Sequence, residues 1–306
     1  MRTSQELRDR VVELDRRYRS TWDAHAIAHV VELSATTVAK ILREVRGPRP
    51  KRVERPHTRR TRFTRRDVMW SSDFVRIGWG WLLLKTIDEM SGFVLGWDLV
   101  RSEDSLAVLD HAESIIKRMG RAPMVWKFDH GSAFMSEVFM GLVLEEHEIV
   151  PYPTQRRAPW TNGRVERDHQ EILNWLIPLA GRELSKAELE HEIDEGMLVR
   201  NYVKPRACLG FRKSAQAYFS EDATLDAATE ARGWLAEGLY EAKFELEAAD
   251  PTEVYEIGKS GERLHRKAVR MALQKLGWYE EWDTATPEGA PEAETVNTTR
   301  SENVSF

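Results

Sequence analysis

Apolar residues recur at helical spacing in the first 46 residues of the chain. Leu7, Val11, Leu14 and Tyr18 lie three or four positions apart and predict one amphipathic helix. Two shorter apolar stripes follow in residues 21–46, separated by a polar break at which Ser34 can cap the second helix. The pattern therefore predicts three helices in residues 1–46.

The two shorter helices resemble a helix-turn-helix, whose second helix enters the major groove of DNA. The small Ala28 suits a close helix crossing, and Thr36, Thr37 and Lys40 lie on the polar face of the second helix. These three side chains are therefore candidate DNA contacts. A structural helical hairpin would show the same pattern, so this alternative stays open.

A different pattern begins at residue 67. Three β-rich runs, separated by turns that contain glycine, predict antiparallel hairpins over residues 67–100. A helix, a strand, a helix, a strand and a long helix follow in residues 105–181. For residues 67–221 we therefore predict an α/β fold in which helices flank a mixed sheet.

The remaining segments are assigned mainly from their composition. Residues 47–66 hold nine Lys or Arg and three prolines, so we predict a basic, extended linker that cannot build a core. Residues 222–282 predict an accessory region, either a helical hairpin or a small unit with strands. Residues 283–306 are polar and acidic, and we predict a disordered tail there.

The charge of the chain is unevenly distributed. The net charge is −5, yet residues 1–66 contain 18 Lys and Arg against 8 Asp and Glu, and the rest of the chain is acidic. A basic arm favours polyanion binding, since each Lys or Arg near a phosphate releases counterions. The single cysteine excludes a disulfide framework, and no apolar run is long enough to span a membrane. We expect a cytoplasmic, nucleoid-associated protein.

Three carboxylates stand at unusual places in the α/β pattern. Asp73 lies inside the first strand among apolar neighbours, Asp129 ends the fourth strand, and Glu166 lies in the first turn of the long helix. Strand ends are where α/β sheets place ligand sites. If the first and fourth strands are neighbours, the two aspartates face each other and the helix can bring Glu166 over them. Such hard oxygen donors suit Mg²⁺ or Mn²⁺.

These acids belong to three ordered motifs: W-x-x-D, which ends at Asp73, F-D-H-G-x-x-F around Asp129, and N-G-x-x-E-R around Glu166. The acids are separated by 55 and 36 residues. The motifs and the second interval resemble the DDE integrase and transposase superfamily, which has an RNase H-like core. The resemblance covers residues 67–220, and the helix-turn-helix lies where bacterial insertion-sequence transposases keep one.

The resemblance implies a DNA transposase or integrase that cuts and joins DNA by two-metal phosphoryl transfer. Asp73 would bridge two Mg²⁺ or Mn²⁺ ions, and Asp129 and Glu166 would each complete one of the two sites. Water would be the nucleophile for cutting, and the freed 3′-hydroxyl for joining. The implied partners are double-stranded DNA and further copies of the chain assembled on it, with no membrane. Whether a separate ATPase helper takes part stays open.

Basic and aromatic residues around these motifs are further candidate DNA contacts. The loop before Glu166 offers cations for phosphates and a ring for base stacking, and the linker could follow a phosphate backbone. The candidates are Arg52, Arg59, Arg60, Arg156, Arg157, Trp160, Asn162, Arg164 and Arg167. Solvated surface charge and, for Asn162, a helix cap are the alternatives. We expect His130, which follows the second acid, to pack locally.

Motifs of other enzyme classes are missing from the sequence. It contains no G-x-x-x-x-G-K-[ST] and no G-x-S-x-G, which excludes a Walker-type ATPase and a hydrolase nucleophile elbow in this chain. Two other functions stay open. One is a DNA-binding regulator that has lost the chemistry, and the other is an RNase H-like nuclease that cuts without strand transfer.

Overall fold

The computed structural model describes residues 3–47, 59–155, 163–225, 228–249 and 259–283. The helices of these residues are α1 (Gln5–Arg17), α2 (Ala24–Val31), α3 (Ala35–Arg46), α4 (Ser105–Met119), α5 (Glu137–Gly141), α6 (Gly163–Leu176), α7 (Lys186–Leu198), α8 (Ser214–Tyr218), α9 (Ala228–Ala249) and α10 (Lys259–Lys275). Their strands are β1 (Arg59–Phe63), β2 (Met69–Gly78), β3 (Trp81–Asp88), β4 (Val94–Val100), β5 (Val125–Phe128), β6 (Val150–Pro153) and β7 (Tyr279–Asp283). No helix within these ranges combines the length and apolar character needed to cross a membrane.

Helices α1, α2 and α3 pack around one apolar core. Ser4, Asp23 and Ser34 precede them, and each side chain accepts a hydrogen bond from a backbone N–H of the first turn. At Ser34 this bond comes from Thr37 at 3.1 Å, so the predicted cap is confirmed. Glu32, in the left-handed conformation with φ of 56°, ends α2 and turns the chain toward α3. The core side chains include Val11, Leu14, Trp22, Ile27, Val38 and Ile41.

Strands β2 to β6 form one mixed sheet in the order β4-β3-β2-β5-β6. The pairs β2–β3 and β3–β4 are antiparallel, because short turns connect them. The pairs β2–β5 and β5–β6 are parallel, with α4 and α5 in the connections between them. This arrangement confirms the predicted α/β fold with a mixed sheet.

Side-chain alternation along β2 separates two layers of helices. Trp70 and Phe74 lie in the layer of α4 and α5, where Trp70 packs edge-to-face on Trp126 of β5. Val75 lies on the opposite face, in the apolar layer formed with α6 and α7. Asp73 has the same parity as Val75 and therefore lies on the α6 side of the sheet.

Helices α9 and α10 continue the core of the sheet. Leu235 of α9 and Val269 of α10 share a buried apolar cluster with Met69 of β2 and Val125 of β5. The segment assigned to residues 222–282 contains a helical hairpin and one strand, so both of the predicted alternatives are present. Its apolar side chains are buried against the sheet rather than against each other alone.

The structure differs from the predicted linker at residues 59–63. Arg59–Phe63 forms β1, which pairs antiparallel with β7. Phe63 is buried beside Tyr279, and Arg62 pairs with Glu280, 218 residues later, with Nε–Oε2 at 2.8 Å. Composition misses this strand because its partner is so distant in sequence. The rest of the predicted linker, up to residue 58, and the predicted tail from residue 284 lie outside the described residues.

Candidate active site

Asp73 lies in the middle of β2, on the side of the sheet that α6 covers. Its antiparallel partner on β3 is Lys85. The carboxylate Oδ1 accepts a hydrogen bond from the N–H of Phe74 at 2.9 Å, and Oδ2 lies 3.7 Å from Nδ1 of His169. The Asp73 side chain is 18% exposed, so solvent reaches it although it belongs to a strand interior.

Asp129 follows β5 directly, next to the strand that carries Asp73. The parallel pairing of β2 with β5 reaches Ser71 opposite Lys127, and Asp73 and Asp129 each lie two residues beyond that pair. The first and fourth strands of the core are therefore neighbours, which is the condition for facing acids. Oδ1 of Asp129 accepts a hydrogen bond from the N–H of Gly131 at 2.9 Å, and a β-carbon at Gly131 would lie only 2.9 Å from that oxygen.

Glu166 lies on α6, the helix that packs against β2. It precedes His169 by three residues, which is about 4.5 Å along a helix axis. Because His169 contacts Asp73, the backbone of α6 brings residue 166 to the same part of the sheet. The Glu166 side chain is outside the description, and among the side chains that are described no group of three His, Cys, Asp or Glu could hold a metal ion.

His169 is a residue of this site that sequence reasoning missed. Its side chain is only 8% exposed, and its buried Nε2 has no hydrogen-bond partner among the described residues. Burial, and then the positive charge of Lys85, lower the pKa of His169 to about 3, so the imidazole is neutral at physiological pH. The available signal was the interval of three from Glu166, which sets two helical residues on one side of the helix.

A buried cluster of charges lies behind Asp73. Asp168 of α6 forms ion pairs with both Lys85 of β3 and Arg200, which follows α7. The exposed fractions of these side chains are 3%, 0% and 6%. Burial, and then the charge of Arg200, lower the pKa of Lys85 well below its usual value. One carboxylate therefore compensates two buried cations and ties α6 to the strand beside Asp73.

A second set of ion pairs extends this cluster toward the N-terminal helices. Glu171 of α6 binds Lys204 at 2.8 Å and Arg206 at 3.1 Å. Burial alone would raise the pKa of Glu171, but the charges of Arg206 and Lys204 lower it below the usual value. Lys204 Nζ also donates to the carbonyl of Thr21, at 2.8 Å. The chain of polar contacts thus runs from the core to the segment between α1 and α2.

The predicted DNA contacts before the core lie on α3 and β1. Thr36 and Lys40 are exposed on α3, and Thr37 is half-buried. Arg60 is exposed on β1, and the backbone of Arg59 belongs to the same strand. The candidates on α3 and on β1 are far apart in the chain. Those on α3 give this helix polar side chains on its outer face.

The predicted DNA contacts around Glu166 are described in part. Arg164 donates to the carbonyl of Met90 at 3.3 Å, and Arg167 is exposed on α6. His130 donates from Nε2 to the carbonyl of Thr154 at 2.6 Å, which confirms its expected local packing. The candidates outside the described residues are Arg52, Arg156, Arg157, Trp160 and Asn162.

The sheet order, with helices on both faces and acids on neighbouring parallel strands, defines an RNase H-like fold. Residues 64–159 match the model of the integrase core domain family. This segment is therefore similar to the integrase core domain family, which is of the polynucleotidyl transferase type. The matched segment contains Asp73 and Asp129 and ends before Glu166.

Solved structures of viral integrases are similar to part of the chain. The catalytic core domain of HTLV-2 integrase, in complex with magnesium, is 20% identical with a TM-score of 0.42, covering 51% of this chain and 99% of that one. The simian T-cell lymphotropic virus intasome is 18% identical with a TM-score of 0.48, covering 70% and 76%. The BIV integrase catalytic core is 18% identical with a TM-score of 0.40, covering 50% and 93%. A search of curated proteins gives no match.

Proposed function

We propose that this chain is a DNA transposase or integrase-type recombinase that cuts DNA and joins the freed 3′ end to target DNA. The observation that carries the proposal is that Asp73 and Asp129 each lie two residues beyond the last pair of two adjacent parallel strands, in a segment that matches an integrase core domain. Helix α6, which carries Glu166, covers the same face of the sheet. Three acids brought to one part of the sheet would be costly in a purely structural core, where buried charges need compensation.

The donor set fits divalent cations. Asp73, Asp129 and Glu166 would hold two Mg²⁺ or Mn²⁺ ions, because these metals prefer carboxylate oxygens. When bound, the ions would supply positive charge that activates the attacking oxygen and stabilises the leaving oxygen. The backbone N–H groups of Phe74 and Gly131 each orient one carboxylate through a bond of 2.9 Å.

Other parts of the chain would bring DNA to this site. Helices α2 and α3 would act as a helix-turn-helix, with Thr36, Thr37 and Lys40 directed to the DNA. The basic segment before the core and Arg167 on α6 would contact phosphates. Because two element ends must be joined in one complex, the active form would be a homo-oligomer assembled on DNA.

A DNA cleavage and joining assay tests the proposal. The purified full chain is incubated with Mg²⁺ or Mn²⁺, labelled linear DNA and a plasmid that carries the flanks of its own gene. Three variants are compared with the parent protein: Asp73→Asn, Asp129→Asn and Glu166→Gln. Glu145→Gln is the matched control, since Glu145 is an exposed acid of the same domain.

Metal-dependent nicks and joined products that the three variants lose and the control keeps would support the recombinase. Nicks without joined products would instead favour a nuclease. The parent and all variants could instead bind DNA without cutting it, both with and without a candidate ATPase helper. That result would favour a DNA-binding regulator.

A further inference from the structure

His169 differs from the other buried histidine of the sheet. His111 of α4 uses both ring nitrogens, with Nε2 at 2.8 Å from Thr86 Oγ1 and Nδ1 bonded to Asp98. That pattern is expected of a structural histidine, since buried polar atoms are paired. His169 is equally buried, yet its Nε2 has no hydrogen-bond partner among the described residues. His130 also buries an unpaired nitrogen, Nδ1, so His169 is distinguished by the position of its other ring nitrogen beside Asp73.

The nitrogen of His169 that lies beside the Asp73 carboxylate is Nδ1. Nδ1 of His169 and Oδ2 of Asp73 are 3.7 Å apart, beyond the ~3.2 Å limit of an N–H···O hydrogen bond. Two ligands that each lie ~2.1 Å from one ion can be separated by up to about 4.2 Å. The two atoms are therefore too distant to bond to each other and close enough to share a cation. His169 also lies one turn after Glu166 on the same helix.

We propose that His169 is a nitrogen ligand of the cation that Asp73 holds, an inference that rests on the proposed function. The consequence is metal selectivity. Mg²⁺ takes oxygen ligands, whereas first-row divalent metals accept an imidazole nitrogen as well. The imidazole therefore shifts the preference of the site toward Mn²⁺ and away from Mg²⁺, relative to a site made of carboxylates alone.

Pulsed EPR of bound Mn²⁺ tests the ligand directly. The full chain is loaded with one equivalent of Mn²⁺, and ¹⁴N modulation from a coordinated nitrogen is recorded, with ¹⁵N-histidine labelling to identify its source. The parent protein is expected to show the coupling, and His169→Phe to lose it. His169→Gln is the second variant, because its amide keeps a polar side chain if the ring of Phe disturbs folding. His130→Asn is the matched control, since His130 is the other histidine beside the acids.

Equilibrium binding of Mn²⁺ and Mg²⁺ gives a second readout that needs no DNA. His169→Phe is expected to weaken Mn²⁺ binding at least about tenfold, the lower end of what outer partners of metal ligands contribute. Mg²⁺ binding should change much less, so the ratio of the two affinities falls. His130→Asn should keep both the ratio and the ¹⁴N coupling.

Two outcomes would overturn the inference about His169. The first leaves the metal site of the proposed function standing, and the second does not. If Mn²⁺ binds, Asp73→Asn abolishes the binding, and the parent shows no ¹⁴N coupling, then His169 is not a ligand and the carboxylate site stands. If Mn²⁺ binding is unaffected by Asp73→Asn, the metal site of the proposed function fails together with the role of His169.

Discussion

Replacing Asp168 by asparagine should destabilise the protein more than any surface change. The substitution keeps the size of the side chain and removes the charge that compensates Lys85 and Arg200. These cations have exposed side-chain fractions of 0% and 6%, so water cannot replace the lost carboxylate. Removing one partner of a buried ion pair costs about 3–5 kcal/mol, mostly because a charge is left uncompensated.

That cost is large relative to the stability of a typical domain, which is about 5–15 kcal/mol. For a domain of this size it corresponds to a fall in Tm of roughly 10 °C. The free energy of unfolding is measured by urea titration at neutral pH, followed by tryptophan fluorescence. Glu190→Gln is the control, because its pairing with Lys186 at 3.3 Å is exposed and is worth no more than ~0.5 kcal/mol.

A second substitution separates charge from packing. Lys85→Met in the Asp168→Asn background removes one of the two uncompensated cations and replaces it with an apolar side chain of similar length. Stability should therefore be partly recovered. A loss of less than about 1 kcal/mol in the free energy of unfolding of Asp168→Asn would contradict this role of Asp168. A further loss of stability on adding Lys85→Met would contradict it as well.

Three further predictions concern stability. Gly96→Ala should lower the free energy of unfolding by about 1–3 kcal/mol, measured by calorimetry. The reason is that the new β-carbon would lie 2.6 Å from Ile115 of α4, and an unchanged Tm would contradict that packing. Burial, and then the charge of Asp67, raise the pKa of Asp88 from 3.8 to about 7, so this group makes stability fall as pH rises between those values. Urea titrations near pH 4 and pH 7 should show a smaller fall for Asp88→Asn, and equal falls would argue against the raised pKa. A chain ending at residue 221 should be insoluble or protease-sensitive, whereas one ending at 283 should stay folded, because α9 and α10 bury Met69 and Val125.

Local patterns were enough to predict most of the α/β core of residues 67–221. The alternation in β2 and the short turns after it predict the hairpins, and the position of Asp129 at a strand end predicts a ligand site. The parallel pairing of β2 with β5 confirms that the strand with Asp73 and the strand before Asp129 are neighbours. These features depend on residues close in sequence, or on connection rules that hold for α/β sheets in general.

The features that sequence reasoning missed all depend on distant partners. From the sequence, Lys85 is only a polar residue in a strand; the structure adds its ion pair with Asp168, 83 positions later. From the sequence, His169 is a helix-surface residue; the structure adds the packing of α6 beside Asp73. Arg59–Phe63 reads as part of a linker until β7 is paired with it. In each case the missing information is which other segment of the chain lies beside the residue or strand.

The pairing of β1 with β7 sets an order for the synthesis of the protein. The helices of residues 5–46 need only local contacts, so they can fold as soon as they leave the ribosome. The sheet that carries Asp73 is different, because Phe63 and Met69 are buried in an apolar cluster that also contains Tyr279, more than 200 residues later. A nascent chain therefore displays its N-terminal helices well before this sheet is closed, and under the proposed function DNA cutting would have to wait for β7.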